Sequence, residues 1–346
     1  MLFRIFTILF LVISVSCFGQ NKKVPKYDTS YIKAYKLFTI KFIGSVRINQ
    51  FEIKDNLSKK TIQYSPNESL NLGFGINTKS IGVNVFFNLP HINNDNHIYG
   101  QTQEFDLTSY IYGRKFYADF NYGRFQGFYL KNYEIIDPEY LTNYKAYPQR
   151  SDIKTYIYGG SLFYSINNRK FSYRAPFIQT EWQKKSAGTI LVGGYMKSFE
   201  LDSDSSIVPL QLKNTADPEA NLIHLNSFNT GTGVGYAYTV VIRKLFFITI
   251  SAIGGIGYQA LEGKKENKDY YSKSGFVPKM HFKAATGINS PKFFAGIFVN
   301  SDHTNLNLSQ FSRINYQYGN FRFYIGRRFG TEKIKQTIDR RKERRG

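Results

Sequence analysis

Residues 231–243 read GTGVGYAYTVVIR, and their period of two decides the fold class. In an extended chain Val234, Tyr236, Tyr238, Val240 and Ile242 fall on one face, while Gly231, Gly233, Gly235, Ala237 and Thr239 fall on the other. The first face suits lipid and the second a crowded or wet interior. A tight turn at Arg243 and Lys244 leads into a second such segment, where Phe246, Ile248, Ile250, Ala252, Ile256 and Tyr258 alternate with Thr249, Ser251, Gly255 and Gly257. A water-soluble sandwich or lipocalin-like barrel also alternates, but it turns its bulky residues inward. Here the other face is mostly Gly, Ala, Ser, Thr, Asn and Lys, so the bulky face, rich in Tyr and Phe, looks outward.

The same pattern recurs along the chain. Met280, Phe282, Ala284, Thr286 and Ile288 oppose Lys279, His281, Lys283, Gly287 and Asn289, and Val83, Val85 and Phe87 oppose Gly82, Asn84 and Asn88. Strands are expected at 39–54, 60–78, 81–90, 104–113, 115–130, 153–166, 187–201, 231–243, 245–260, 278–289, 292–302 and 312–329. The fold class is all-β: a membrane-spanning, antiparallel, up-and-down β-barrel of about 12 strands. Turns near Lys79, Arg114, Arg243 and Pro291 then fall at one end, and the longer segments 91–103, 131–152, 202–230, 261–277 and 303–311 at the other. The connection 167–186 breaks this parity and reads as a periplasmic or barrel-internal excursion. A full strand at 171–182 would instead give 14 strands.

Composition agrees. The chain has 27 Tyr and 31 Phe against one Trp, a balance suited to strands and to the aromatic girdles of a barrel. Its net charge of +21 would raise the question of nucleic acid in a cytoplasmic protein. The N-terminus argues otherwise: Arg4 precedes an apolar run from Ile5 to Val15 and then Ser16, Cys17 and Gly19, the layout of a signal peptide. Bacterial outer-membrane lipid, lipopolysaccharide, an anionic solute or an anionic periplasmic polymer are the counter-charges expected of an exported cationic barrel. The division is 1–19 signal peptide, 20–38 periplasmic N-terminal segment, 39–329 transmembrane barrel and 330–346 basic periplasmic tail. Lipid attachment at Cys17 is the alternative, with Ser14 where an aliphatic residue is usual. The single cysteine lies in the leader, which leaves the body without a disulfide or thiol nucleophile.

In the last strand Phe321, Phe323, Ile325 and Phe329 alternate and end on an aromatic residue, the kind of signal a barrel presents to the assembly machinery. The tail beyond it, closing with Arg340, Arg341, Lys342, Glu343, Arg344 and Arg345, reads as a solvated basic extension.

Three separated stretches point to a family. They are Tyr112-Gly113-Arg114-Lys115-Phe116 with Asp119 and Gly127 to Leu130; Phe171 to Ala175 leading through Gln179, Thr180 and Glu181 to Gln183 and Gly188; and Ser65-Pro66-Asn67 before Leu72 to Gly75. Together they resemble the domain-of-unknown-function 4421 family of outer-membrane barrels, over roughly 27–329. The resemblance implies a barrel in the outer membrane and carries over no catalytic residue.

The chemistry is less legible. His91, His97 and His224 fall in loops, His281 on an inner face and His303 at a strand edge, without metal spacing, and nothing calls for a cofactor. A lipid or ester hydrolase would need a Ser–His pair, for which His303 with Asp302, Ser309 and Ser312 is the local cluster. A rim protease would need paired carboxylates, for which Asp202, Asp204 and Asp106 are available. Parity places Lys41, Arg47, Lys279, Lys283, Arg322 and Arg328 on the inner face, with Asp106 and Asp119 as acidic counterparts. Arg174, Glu181, Lys184 and Lys185 are candidates for the periplasmic mouth or a plug. These readings leave a narrow solute or anion channel or transporter, a structural or surface-interaction barrel acting through its loops, and a barrel hydrolase as the third class.

Overall fold

The computed structural model describes residues 27–35, 37–67, 70–88 and 95–330. The expected signal peptide with Cys17, and the tail from 331 on, lie outside the described residues.

Strand β2 (Leu37–Asp55) shows how the sequence builds the wall. Its outer face begins with Ile40 and Phe42, exposed by 40% and 39%, and ends with Gln50, Glu52 and Lys54. Its inner face runs the opposite way, from buried Thr39, Lys41, Ser45, Arg47 and Asn49 to Phe51 and Ile53. Strand β15 (Ser312–Gly330) repeats the exchange antiparallel to β2. Arg313, Asn315 and Gln317 lie outside Ile314, Tyr316 and Tyr318, whereas Phe321, Phe323 and Ile325 lie outside Asn320, Arg322 and Tyr324. The period stays at two while the faces swap polarity part-way along. Where the outer face is apolar the barrel sits in lipid; where the inner face is apolar it encloses a dry core.

The remaining strands are β1 (Ile32–Ala34), β3 (Lys60–Ser65), β4 (Leu70–Thr78), β5 (Ile81–Asn88), β6 (Gln103–Tyr112), β7 (Phe116–Leu130), β8 (Gln149–Ser165), β9 (Glu181–Gln183), β10 (Ala187–Asp202), β11 (Leu222–Ile242), β12 (Phe246–Lys265), β13 (Tyr270–Asn289) and β14 (Phe293–Asn307). All but β1 and β9 form a 13-stranded antiparallel sheet that closes on itself through β15 and β2. Because β3 and β4 both pair with β2 on successive stretches, they count as one interrupted strand, and the 13 segments make 12 staves. At the closing seam Phe38 stacks on Phe329 with ring centroids 5.3 Å apart. Among the described residues no helix is long and apolar enough to cross a membrane.

Turns at 79–80, 113–115, 243–245 and 290–292, and the excursion after β8, gather at one end, here the turn end. The longer connections gather at the other, the loop end. Arg243 and Lys244 both adopt left-handed backbone, φ 51° and 58°, and Leu245 N donates to Ile242 O at 3.2 Å, a turn whose handedness matches the twist of its strands.

The structure corrects several boundaries. The expected strand 60–78 is two segments. The expected loop 261–277 is mostly strand, since β12 runs to Lys265 and β13 starts at Tyr270; β11 begins at Leu222 instead of 231. The apolar-outside signal fades once a strand leaves the lipid, where Asn226, Glu262, Ser272 and Ser274 face outward, but the hydrogen-bond ladder continues. Towards the loop end β3 leans directly on β7 through Tyr64↔Leu130 and Ser65↔Tyr129.

Candidate functional site: the closed interior of the barrel

The excursion between β8 and β10 folds into the turn end as a plug. Phe171, Tyr173 and Ile178 are buried there against Tyr112, Tyr117, Leu191 and Phe247 of the wall. Glu181 is 1% exposed and is the plug's electrostatic anchor: it pairs with Arg114 of the β6–β7 turn and with Arg174 at 3.2 Å, and accepts a hydrogen bond from Ser172 Oγ at 2.5 Å. Arg174 and Thr180 also donate to Lys79 O, at 3.0 and 3.1 Å. From the wall, Arg328 donates to Gln179 O and Asn289 donates to Glu181 O at 3.1 Å. The N-terminal segment covers the plug from outside, as β1 pairs with β9, and Trp182 Nε1 donates to Lys244 O at 2.8 Å. Of the four plug candidates, Arg174 and Glu181 therefore meet inside, while Lys184 is half-buried and Lys185 exposed at the rim, with Lys185 lying over Tyr31.

The loop end is closed by different chemistry. Segment 203–221 folds over it with two short 3₁₀ turns, Leu210–Leu212 and Pro218–Ala220. Ile207, Val208, Leu212 and Ala220 join Phe51, Tyr64, Phe125, Phe199 and Tyr316 of the wall in one apolar core. Asp217 latches this lid. Its carboxylate accepts from Ser309 Oγ and from Ser312 Oγ at 2.6 Å and caps the second turn through Glu219 N at 3.1 Å, while its own amide donates to Asp55 at 2.6 Å. Burial works to raise the Asp217 carboxyl, but those two hydroxyls, the Glu219 amide and Lys265 outweigh it and hold it below the usual carboxylate range. Arg150 braces the lid through Ser205 O and Ser206 O, both at 3.0 Å. Sequence reasoning treated 202–230 as an ordinary outer loop. The signals in it are the apolar run Ile207-Val208 and the Asp217-Pro218 helix-start pair.

Between plug and lid lies a polar chamber of about 90 Å³. Lys41, Lys279, Lys283 and Arg322 line it; Arg47 and Arg328 point inward beside it, all six cations being less than 9% exposed. Three carboxylates answer them: Asp119 accepts from Lys283 at 2.6 Å, Asp302 binds Lys279 and also Lys197 at 2.7 Å, and Asp106 pairs with Arg47 at 3.1 Å. Sequence parity assigns neither Lys197 nor Asp302 to the interior, because both faces of β10 and β14 carry large apolar residues; Asp302 enters the sequence reading only beside His303. Rings supplement the ion pairs, with Arg47 over Phe86 at 4.3 Å and Lys283 over Tyr173 at 5.6 Å.

The expected hydrolase cluster does not assemble. Asp302 points inward to the lysines, His303 points outward, and Ser309 and Ser312 hold Asp217. His303 Nε2 instead lies 3.0 Å from Ser301 Oγ on the outer surface. The protease candidates separate too: Asp106 is inside with Arg47, the Asp204 amide donates to Asp152 Oδ2 at 3.1 Å, and Asp202 lies on the outer face, 2.6 Å from His224 Nδ1. Asp202, His224 and Glu200 offer three ligand atoms within 4.8 Å of one another, a grouping that could take a divalent cation. It arises from the β10–β11 register, Asp202↔His224, and is invisible in linear spacing.

The chain matches the family described as Domain of unknown function (DUF4421) over residues 26–329. It belongs to that family. Two of the three stretches that carry the resemblance build the plug and its seat, where Arg114 and Glu181 pair and Tyr112 OH donates to Asp119 at 2.5 Å, and the third ties the loop end, where Asn67 Nδ2 donates to Gly100 O at 3.0 Å. No curated protein matches the chain. Solved structures to which the DUF4421 chain is similar include the outer membrane protease OmpT of Escherichia coli, at 9% identity and TM-score 0.38, covering 85% of this chain and 97% of that one. The Pseudomonas putida toluene transporter TodX follows at 8% identity and TM-score 0.30, covering 86% and 91%. The attachment invasion locus protein Ail of Yersinia pestis is similar at 9% identity and TM-score 0.22, covering 85% and 100%.

Proposed function

We propose that this DUF4421 protein is an outer-membrane barrel that is shut at rest and handles an anionic solute in the chamber between its two closures. The carrying observation is that a cation-rich chamber is sealed on one side by a plug that joins a buried ion-pair anchor to apolar packing, and on the other by an apolar core. A purely structural barrel has no need of an ionic interior, which is costly to bury, when apolar side chains would fill the same space. In this reading the turn end is periplasmic and the loop end extracellular, and the apolar belt faces outer-membrane lipid. The alternating last strand engages the assembly machinery, and cationic residues at the loop end, such as Lys54 and Arg313, meet lipopolysaccharide phosphates. The protein has no standing pore. Planar-bilayer recording tests this: the wild type should be silent at rest, and should pass anions in preference to cations only when the plug and the lid are both destabilised. Steady conductance from the untreated protein would refute the closed state. Silence of correctly folded protein with both closures removed would leave a structural or surface-interaction barrel.

A further inference from the structure

Five lysine and arginine side chains line the chamber against two carboxylates, those of Asp119 and Asp302. The pairs described above account for Lys197, Lys279 and Lys283. Lys41 and Arg322, each 6% exposed, have no carboxylate within ion-pair distance among the described residues. Lys41 Nζ reaches only Tyr110 OH, at 3.5 Å, and Arg322 Nη2 only Thr108 Oγ1, at 3.4 Å. The nearby carboxylate of Asp106 is already engaged by Arg47, by Tyr318 OH at 2.7 Å and by Thr108 at 3.1 Å. Beside them Arg322 Nε and Asn84 Nδ2, the latter on a fully buried residue, have no hydrogen-bond partner among the described residues, nor do the Nη1 and Nη2 donors of Arg47, which shares the Phe86 ring with Arg322.

These groups converge by register. Lys41 of β2, Gly75 of β4 and Asn84 of β5 form one row across the sheet, and Asn84 faces Thr108 of β6. Gly75 keeps the row open, because a Cβ there would meet Lys41 Cε at 2.6 Å. Asn84 Oδ1 lies on the Tyr110 hydroxyl at 3.5 Å, which turns the amide nitrogen away from that contact. Tyr324 lies beneath Lys41 at 5.7 Å and Phe86 beneath Arg322 at 4.8 Å, so ring faces hold both cations.

We propose that Lys41, Arg322 and Asn84 form a subsite for a small oxyanion, of phosphate or short-carboxylate size. Two buried cations without a counter-charge repel each other in a medium that screens poorly, and an anion between them removes that repulsion. A guanidinium edge, an ammonium and an amide N–H₂ are all donors, the set that matches oxygens bearing negative charge. The chamber has room for such an ion with a water or two, and a larger solute would have to displace wall side chains. This rests on the reading of the chamber as the place where solute is handled.

The test uses the full-length mature protein, refolded into detergent micelles with phosphate, sulfate, acetate or chloride at matched ionic strength. Refolding lets the ion enter without any gate. Phosphate or acetate should raise the temperature at which the folded gel band is lost, relative to chloride, and calorimetry should give saturable binding. Lys41→Met with Arg322→Met should abolish that anion dependence and, in chloride, melt no lower than wild type, since the repelling pair has gone; a merely structural role would lower it. Asn84→Ala or Lys41→Met alone should weaken apparent affinity by about tenfold, the loss of one charge-assisted hydrogen bond, should the double variant not fold. Lys283→Met, which strands Asp119, should destabilise the barrel yet retain the anion response. Equal melting in all four anions, or a response that survives removal of Lys41 and Arg322, would overturn the subsite. Binding, together with silence of the variant whose plug and lid are both destabilised, would instead sink the transport reading alone.

Discussion

Replacing Glu181 by Gln tests the plug most directly. Glu181 is 1% exposed and faces two guanidiniums, Arg114 and Arg174, that are themselves 9% and 8% exposed. Removing the charge leaves two cations buried without it, and breaking a buried ion pair in this way costs about 3–5 kcal/mol. The amide still accepts one hydrogen bond, and Lys79 O and the Tyr27 ring remain as partners for Arg174 and Arg114, so the lower end applies. A loss of about 3 kcal/mol raises the population of the undocked plug roughly a hundredfold. The assay is thiol labelling of Ala175→Cys, a position 2% exposed whose carbonyl accepts from Asn289. Labelling in the regime where opening and closing are fast tracks that population, so its rate should rise by about the same factor on adding Glu181→Gln. Met at 114, 174 and 181 together should restore slow labelling, because a well-packed apolar trio replaces the ions without stranding any charge. An increase below tenfold, or a triple variant that labels as fast as Glu181→Gln, would refute the anchor.

On the outer wall, Ile250→Arg places a charge where the side chain is 52% exposed to lipid and should cost about 2–4 kcal/mol in reversible folding, whereas Ser272→Arg, outward beyond the belt, should change stability by under about 0.5 kcal/mol. For the lid, the folded-state carboxyl of Asp217 lies below its unfolded value, so its contribution is present above the unfolded value and is lost as pH falls through the lowered one. Amide exchange across 203–221 should therefore accelerate only below the ordinary carboxylate range, and Asp217→Asn should exchange quickly at neutral pH with a flattened acid response; an unchanged pH profile in that variant would remove the latch. In cells, the mature chain should fractionate with the outer membrane and migrate faster on gels before boiling than after. Tags near Asn143, Thr215 and Asn267 should be reachable on intact cells and tags near Lys79 or Arg243 should not, and any reversal would invert the barrel.

How far the sequence could be read depends on which side of the polarity exchange a residue lies. In β11, β12 and β13 the lipid-facing residues are bulky and the inner ones small or charged, so parity put Lys279 and Lys283 inside, where the structure has them. Past the exchange both cues reverse. Phe51, Phe199 and Tyr316 are inner residues that look like lipid-facing ones, and the polar outer residues of β12 and β13 look like loop. Phe293 and Phe294 give β14 an apolar residue on each face, which concealed that Asp302 points inward. The plug was visible only as a break in strand parity at 167–186. Its closing contacts join residues 67 apart in sequence, as Arg114 and Glu181 are, and no local pattern encodes such a pair. The lid's latch is of the same kind, linking Asp217 to Ser312 across 95 residues.

The two closures differ in what opening them requires, and that difference gives the chamber a direction. The loop-end core includes wall residues, Phe51, Phe125, Phe199 and Tyr316, as well as the lid residues Ile207, Val208 and Leu212. Lifting the lid would expose the apolar surface of both partners to water and still leave four rings across the bore, since those belong to strands that the ladder holds in place. The plug is held differently. Many of its ties are hydrogen bonds and ion pairs from Glu181, Arg174, Thr180 and Gln179 to the turn-end rim, groups that water can satisfy once they part. Its apolar side chains, Phe171, Tyr173 and Ile178, sit on a single connection rather than on the wall, so they can leave as a unit. Undocking the plug also bares Tyr112, Tyr117, Leu191 and Phe247 of the wall, but water can satisfy its polar ties; on the reading proposed above, with the turn end periplasmic, the chamber is therefore expected to exchange with that side first.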